Sequence, residues 1–331
     1  MKAIAIIERG GEGGVLELVE RRTPEPGSRQ VLVRVEATAV NRADLLQRRG
    51  QYPAPPGAPA DIPGLEYAGV VARIASDVTE WAVGDRVMGL VGGGSYAEYV
   101  VVHEGEAIPV PAHFTAAEAA AIPEAFITAH DALITQCHLR EGETVVVHAA
   151  ASGVGTAAVQ LAKAAGARVI GTVRSESKLE RVRSLGADVV LQPGEEWAGD
   201  VLRATDGRGV DVVLDLVGGG YLPGNVRVLA PRGRLIVVGL TAGRESLLDL
   251  GAVLRKRLHI IGTVLRARTL DEKILTATAF TRDVFPLLAT DRVRPVIDRV
   301  LPLSRAGEAH ELLERNATVG KVVLEVISAG A

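Results

Sequence analysis

One cysteine, Cys137, stands in a chain of 331 residues. An intrachain disulfide is therefore excluded, and so is a zinc or iron–sulfur centre built on clustered thiolates. Nothing in the sequence beside Cys137 points to an activated thiol, so it reads as a buried or helix-surface residue. Histidine gives no metal signature either, because the seven histidines are scattered singly with none paired at i, i+4 spacing. Aromatic residues make up 3% of the chain, which gives weight to any tyrosine near a candidate site. No apolar run reaches the ~18 residues that a membrane-spanning helix requires. A net charge of −3 argues against a nucleic-acid binder that uses a broad basic surface. The opening run MKAIAIIE is too short for a signal-peptide apolar region and lacks a cleavage site after it. A cytoplasmic protein is the expectation.

With 47% hydrophobic and 23% charged residues, the composition is that of an ordinary globular protein. Its length exceeds one typical core and predicts two domains. The most informative stretch is residues 143–174, ETVVVHAAASGVGTAAVQLAKAAGARVIGTVR. Residues 145–148 are a β-branched run, 149–155 a run of small residues, 156–165 a helical pattern and 168–173 a second apolar run. Strand, tight turn, helix and strand in that order predict a βαβ unit, whose helix N-terminus is suited to a pyrophosphate. The three positions of G-x-G-x-x-G fall on Ala150, Ser152 and Gly155. Glycine alone adopts positive φ freely, so the whole unit carries this reading more than its glycines do.

Residues 1–122 read as mainly β, with strands expected at 2–7, 15–19, 30–39, 65–74 and 85–88 and a strand within 91–102. Gly-rich and Pro-rich turns are expected at 10–14 and 23–27, a short helix within 41–51, and a proline-rich loop over 52–63. A helical region over 115–136 is broken at Pro123. Beyond it strands alternate with helices: strands at 145–148, 169–173, 189–191, 210–214, 235–239 and 260–264, helices at about 154–165, 176–184, 195–205 and 221–229. That alternation predicts an α/β, doubly wound parallel sheet. A long helix over 270–288, a strand over 293–300, a helix over 304–316 and a strand over 321–326 complete the chain. The late strand suggests a return to the first domain, giving domains at 1–122 with 267–331, and at 123–266.

The stretches 41–50, 63–71 (PGLEYAGVV), 92–99, 121–128 (AIPEAFIT), 148–155 and 319–324 (VGKVVL) carry a resemblance along nearly the full length. The chain resembles the zinc-free medium-chain dehydrogenases/reductases of the quinone oxidoreductase branch, and NRADLLQRRGQYP is similar to the p53-inducible type. The resemblance implies a GroES-like mainly-β catalytic domain plus a Rossmann domain, NADPH as cofactor, and a homodimer formed through Rossmann sheet edges. Zinc-dependent relatives would place their first zinc cysteine at Asn41 and their zinc histidine at Leu65. Neither side chain supplies the thiolate or imidazole that catalytic zinc uses.

The cofactor reading turns on Arg174, 19 residues after Gly155, where an NAD-binding fold places an acid for the ribose hydroxyls. Arg174, Ser175 and Lys178 together suit a 2′-phosphate and favour NADPH over NADH. Pro193 stands where several quinone oxidoreductases have a phosphate-binding tyrosine, which counts against that preference. The resemblance also implies cofactor contacts from Thr128, from Ala151, Ser152, Gly153, Val154 and Gly155 of the turn, from Val217, Gly239 and Leu240 after later strands, and from Leu265. Lys321 has two readings, a ligand of the cofactor phosphates or a solvated strand-edge lysine. By the same resemblance Asn41 and Tyr52, with Gln47, face the nicotinamide or quinone as catalytic candidates, an amide and a phenol being able to polarise a quinone oxygen or protonate it. Asn41 is equally suited to cap the helix after it, and Asp44 to hold a neighbouring loop.

The activity implied is NADPH-dependent, zinc-independent hydride transfer to a small-molecule quinone. Reduction of an activated C=C bond in an enone or enal is the enzymatic alternative. A crystallin-like NADPH-binding structural or RNA-binding role is the alternative of another class. No membrane or nucleic-acid partner is expected.

Overall fold

The computed structural model describes residues 1–7 and 14–326. Of the turn expected at 10–14, all but Gly14 lies outside the described residues. Two compact units divide the chain: Met1–Ile127, Leu265–Asp291 and Pro295–Ala331 form one, and Thr128–Val264 with Arg292–Arg294 the other.

The first stretch of unit 1 carries β1 (Lys2–Ile7), β2 (Val15–Glu20), β3 (Gln30–Ala39), α1 (Arg42–Arg48), β4 (Glu66–Ile74), β5 (Arg86–Leu90), β6 (Tyr99–His103), β7 (Ala107–Pro109) and α2 (Ala116–Ala120). Unit 2 carries α3 (Thr128–His130), β8 (Thr144–Val147), α4 (Gly153–Ala164), β9 (Arg168–Thr172), α5 (Leu179–Ser184), β10 (Val189–Leu191), α6 (Trp197–Ala204), β11 (Val210–Asp215), α7 (Leu222–Val228), β12 (Leu229–Val237), α8 (Leu250–Lys256) and β13 (His259–Gly262). The chain then adds α9 (Leu270–Asp283), α10 (Phe285–Ala289), β14 (Ile297–Pro302), α11 (Ala306–Glu314) and β15 (Lys321–Glu325) to unit 1.

Unit 1 is organised around β3, which is buried along most of its length. One edge of β3 pairs with β4, antiparallel, from Val31↔Ile74 to Ala37↔Ala68. The other edge is shared: β6 pairs with Gln30–Arg34 and β15 with Ala37–Ala39, both antiparallel. Antiparallel pairing brings the end of β3 to the beginnings of β4 and β15. The residues flanking those points, Asn41, Glu66 and Lys321, come together from positions 25 to 280 residues apart. Val33, Val35, Tyr67, Val87 and Val322 fill the core of this unit.

Unit 2 is a six-stranded, all-parallel sheet in the order β10-β9-β8-β11-β12-β13. Its central strand β8 is buried at every position, as a strand covered on both faces must be. Val146, Ile170, Val213 and Leu235 form the shared core with Trp197 and Val201 of α6.

Several expected elements are corrected. The helical region at 115–136 does break at Pro123, but the chain beyond the break is wound more widely: π-helical turns at Pro123–Ile127 and Asp131–Gln136 flank α3. The Cys137 N–H reaches back five residues to the Ala132 carbonyl at 3.1 Å. The single helix expected over 270–288 is two, because Pro286, near the start of α10, has no N–H and its ring would clash with the preceding turn. The strand expected at 293–300 begins only at Ile297. Arg294 is tied elsewhere, its N–H donating to Gln160 Oε1 and its carbonyl accepting from Gln160 Nε2, both at 2.9 Å. The sixth strand of unit 2 also ends early, at Gly262, so Leu265 and Arg266 lie beyond it and belong to unit 1.

Candidate active site

In unit 1 the junction of β3, β4 and β15 holds a buried polar cluster. Glu66 is fully buried and Lys321 is 4% exposed. Their Oε1 and Nζ atoms lie 2.7 Å apart. Asn41 joins them: its Nδ2 donates to Glu66 Oε1 at 2.8 Å and to the Ala39 carbonyl at 3.2 Å, and its Oδ1 accepts from Lys321 Nζ. Lys321 also donates to the Val40 carbonyl at 3.1 Å. A buried charge pair is tolerated only when its remaining donors and acceptors are met, and here they are. Both readings of Lys321 need correction on this point. It is no solvated edge lysine, and its three donors go to Glu66, Asn41 and Val40 within unit 1 rather than toward a phosphate.

Asn41 is the N-cap residue of α1. Its N–H donates to Asp44 Oδ2 at 2.8 Å, while its side chain serves the Glu66–Lys321 pair. Asp44 is fully buried and also accepts from the Gly64 N–H at 3.1 Å, so it does hold the neighbouring loop. Gly64 has φ +100°, and a Cβ there would lie 2.3 Å from Ser95 Oγ, which leaves glycine as the residue that fits. Burial raises the Asp44 carboxyl to about 6, against the two backbone N–H bonds and Lys321, which pull it down. The Tyr96 hydroxyl donates to Asp44 Oδ2 at 3.3 Å and lies 3.2 Å from Nε2 of buried His310. Burial drives His310 down to about 3, so it stays neutral.

The catalytic candidates Gln47 and Tyr52 are organised by Arg266, a residue that sequence reasoning set, with Leu265, only near the active site or a dimer contact. Arg266 donates to Gln47 Oε1 at 2.6 Å, to the Tyr52 carbonyl at 3.1 Å and to the Gly92 carbonyl at 2.8 Å. Its guanidinium also sits 4.9 Å from the centre of the Tyr52 ring, a cation–π geometry. Gln47 Nε2 donates to the Ala60 carbonyl at 3.1 Å, so both ends of the Gln47 amide are engaged. Gln47 therefore positions Arg266 and the proline-rich loop rather than presenting a free amide. The Tyr52 phenol is raised, first by burial and against the attraction of Arg266.

Beside this cluster unit 1 has a narrow pocket with an enclosed volume of about 30 Å³. Its walls include the apolar side chains of Leu65, Leu90, Val91, Ile127, Leu265 and Ala277, with Glu106, Glu124, Arg266, Arg268 and Lys273 among them. Leu65 thus serves as pocket wall where a zinc relative would place its histidine. Leu265 faces this pocket as well. Glu124, which sequence reasoning passed over, enters through the π-turn after Pro123, and its N–H donates to Glu66 Oε2 at 2.8 Å.

Unit 2 supplies the dinucleotide elements. Ser152 caps α4, its hydroxyl accepting from the Gly155 N–H at 3.1 Å. Gly153 and Val154 open the helix, in the turn whose N–H groups lack intrahelical acceptors. A Cβ on Gly155 would lie 2.3 Å from the Ala149 carbonyl oxygen, so the helix start packs directly on the turn. Ala149 takes the positive φ of +48°, and Ala150 and Ala151 are buried beside it. This small-residue cradle fits a pyrophosphate at a helix N-terminus, with Ala150 and Ser152 doing what glycines do elsewhere.

Past β9, Arg174 is exposed, and its carbonyl accepts from Gln192 Nε2 at 2.9 Å. The Ser175 and Ser177 hydroxyls lie 2.6 Å apart, and Lys178 ends the short 3-10 turn that leads into α5. Past β11, the Val217 turn is built on Asp215, whose Oδ1 accepts from the Val217 and Gly218 N–H groups at 2.8 and 2.9 Å. Asp215 is held in turn by Asn225 Nδ2 at 2.9 Å, and Asn225 Oδ1 accepts from His148 Nε2 at 2.8 Å. This leaves His148 Nδ1 to accept from the Thr172 hydroxyl at 3.0 Å. Sequence reasoning missed this relay, because His148 stands 24 residues from Thr172 and 77 from Asn225. Gly239 packs on the Leu216 carbonyl with no room for a Cβ, Leu240 is exposed, and Thr128 is buried at the first position of the unit. Cys137 is buried, with its thiol pushed up to about 12 by burial.

Residues 27–112 match the alcohol dehydrogenase GroES-like domain, and residues 153–280 match the zinc-binding dehydrogenase model. A quinone oxidoreductase of Pseudomonas aeruginosa is 36% identical over 94% of this chain and 95% of its own length. A solved structure described as an NAD-dependent alcohol dehydrogenase superposes with a TM-score of 0.88 at 34% identity, over 99% of this chain and all of its own. A mycobacterial protein solved with NADPH gives 0.87 at 32% identity, over 98% of this chain and all of its own.

Proposed function

Since this chain belongs to the medium-chain dehydrogenase/reductase family, we propose that it is an NADPH-dependent quinone oxidoreductase that works without zinc. The observation that carries this reading is the cluster at the two zinc-ligand positions. Asn41 is committed to Glu66 and Lys321, and Leu65 lines an apolar pocket. An apolar pocket wall thus stands where a zinc enzyme would polarise an alcohol. Among the described residues no group of three or more His, Cys, Asp or Glu is arranged to hold a metal ion.

When bound, the nicotinamide cofactor supplies the hydride. The chain's own part is to cradle the pyrophosphate on Ser152–Gly155, to hold the Val217 turn with Asp215, and to keep Tyr52 seated on Arg266. Preference for NADPH rests on Arg174 and Lys178. Replacing both with alanine is expected to weaken NADPH binding by about 100-fold, two charge-assisted contacts at ~1.5 kcal/mol each, and to leave NADH nearly unchanged. Cofactor fluorescence titration measures this, and equal losses for the two cofactors defeat the assignment.

Activity is tested by initial rates with NADPH against ortho- and para-quinones and, in parallel, enones. No NADPH oxidation with any quinone sinks the reading, and turnover of enones alone transfers it to C=C reduction. We extend the proposal to a cytoplasmic homodimer. Among the described residues strand β13 is the edge of the unit 2 sheet, and Leu247, Leu250 and Leu254, in and just before α8, are exposed.

A further inference from the structure

We propose that Glu124 is the proton donor of the reaction, delivering its carboxyl proton to the oxygen of the acceptor held in the unit 1 pocket. This rests on the quinone or enone reading above and adds a catalytic residue to it.

Three observations place Glu124 in that role. It lines the pocket as a half-buried residue, in a wall that also carries Leu65, Leu90, Val91 and Ile127. Its backbone is anchored to Glu66 through the 2.8 Å bond, so the side chain springs from a fixed point. No described residue donates a hydrogen bond to its carboxyl group, whereas the other acids nearby are compensated. Glu66 holds Lys321, Asp44 holds two backbone N–H groups, and Glu106 faces Lys273.

Charges on several elements act on Glu124. Glu66 on β4 and Asp44 on α1 repel a second negative charge, while Lys321 on β15 and Arg266 attract one. Tyr52, Glu106, Arg268 and Lys273 complete the surroundings. Burial first, then Glu66, raises Glu124 to about 8. A carboxylic acid so placed still holds its proton at neutral pH and can donate it, which an ordinary glutamate cannot.

Atoms and electrons balance in this step. A quinone that accepts hydride becomes a hydroquinone monoanion, formally two electrons and one proton richer. The O–H bond of Glu124 breaks and an O–H bond forms on the anionic oxygen, giving the neutral hydroquinone and a glutamate carboxylate. A solvent proton restores the carboxyl after product leaves. The net reaction consumes one quinone, one reduced nicotinamide and one proton.

The test uses the full-length protein and E124Q, with E124D as the conservative variant. In the cofactor-free protein, infrared difference spectra across pH 6–10 should show a carboxyl C=O band in wild type that titrates away near 8 and is missing in E124Q. In turnover, wild-type kcat should fall as pH rises through that range. E124Q should lose about 100-fold in kcat and its alkaline limb together, and E124D should recover part of both. A wild-type spectrum with no such band overturns the proposal, as does an active E124Q that keeps the wild-type rate and pH profile. If wild type oxidises NADPH with no acceptor, the quinone and enone reading fails, and a proton donor for that reaction fails with it. A surviving infrared band would then show only that Glu124 holds a proton, which separates the two failures.

Discussion

Lys321 shows how far a residue's chemistry depends on its surroundings. As sequence it is a lysine after a glycine at the start of a strand, compatible with a surface charge or a phosphate ligand. Folded, it is the cation that makes a buried glutamate tolerable, with Asn41 bridging the two. Removing one partner of such a pair leaves the other charge buried alone. Lys321→Met is therefore expected to destabilise the protein by about 3–5 kcal/mol, measured by urea unfolding. Lys321→Met combined with Glu66→Gln should recover a substantial part of that loss. A single variant within ~0.5 kcal/mol of wild type would mean that the buried pair contributes nothing to stability. Asn41 and Tyr52 were named as site residues through the family resemblance, and Asp44 as a residue that holds a neighbouring loop. Glu66 and Glu124 had no such reading and Arg266 only a general place near the active site or a dimer contact, since their partners stand up to 255 residues away: 66 to 321 for Glu66, and 47 to 266 for Arg266.

The Rossmann turn was the most readable element. Its strand, small-residue run and helix lie within one window, and local patterning suffices to identify it. The structure adds that Gly155 is held by contact: its missing Cβ leaves room for the Ala149 carbonyl. Gly155→Val should push α4 off the turn, abolish measurable binding of either cofactor in fluorescence titration, and cost about 2–3 kcal/mol of stability from overpacking. Unchanged cofactor affinity would show that the helix start need not pack so closely. Elements with weaker punctuation are less legible. The apolar pattern over 270–288 runs on without interruption, although Pro286 splits the helix in two. The π-turns around α3 leave no sequence pattern distinct from an α-helix, because the two windings share most of their apolar contacts along so short a stretch.

For the molecule as a whole, the chain order of strands carries the main result. Unit 1 is assembled from three stretches, and its sheet takes β14 and β15 from the end of the chain. Unit 2 ends its sheet on β13, and leucines of α8 are exposed. Light scattering at micromolar concentration should find a dimer. Leu250→Glu with Leu254→Glu, at positions that are exposed in the single chain, should leave folding intact and yield monomers if that face is the contact. A wild-type monomer, or a variant that still dimerises, rules this face out.

By itself the sequence determined the class of the fold, the βαβ cofactor turn and the loss of the zinc ligands. Each of these is local, a periodicity or a residue type at a given place. Only the tertiary structure decided what fills the lost metal positions. Antiparallel pairing of β3 with β4 and β15 sets Asn41, Glu66 and Lys321 side by side, and the fold closes an apolar pocket beside them with Glu124 at its wall. Charges acquire shifted proton affinities from what surrounds them, and no window of sequence contains those surroundings.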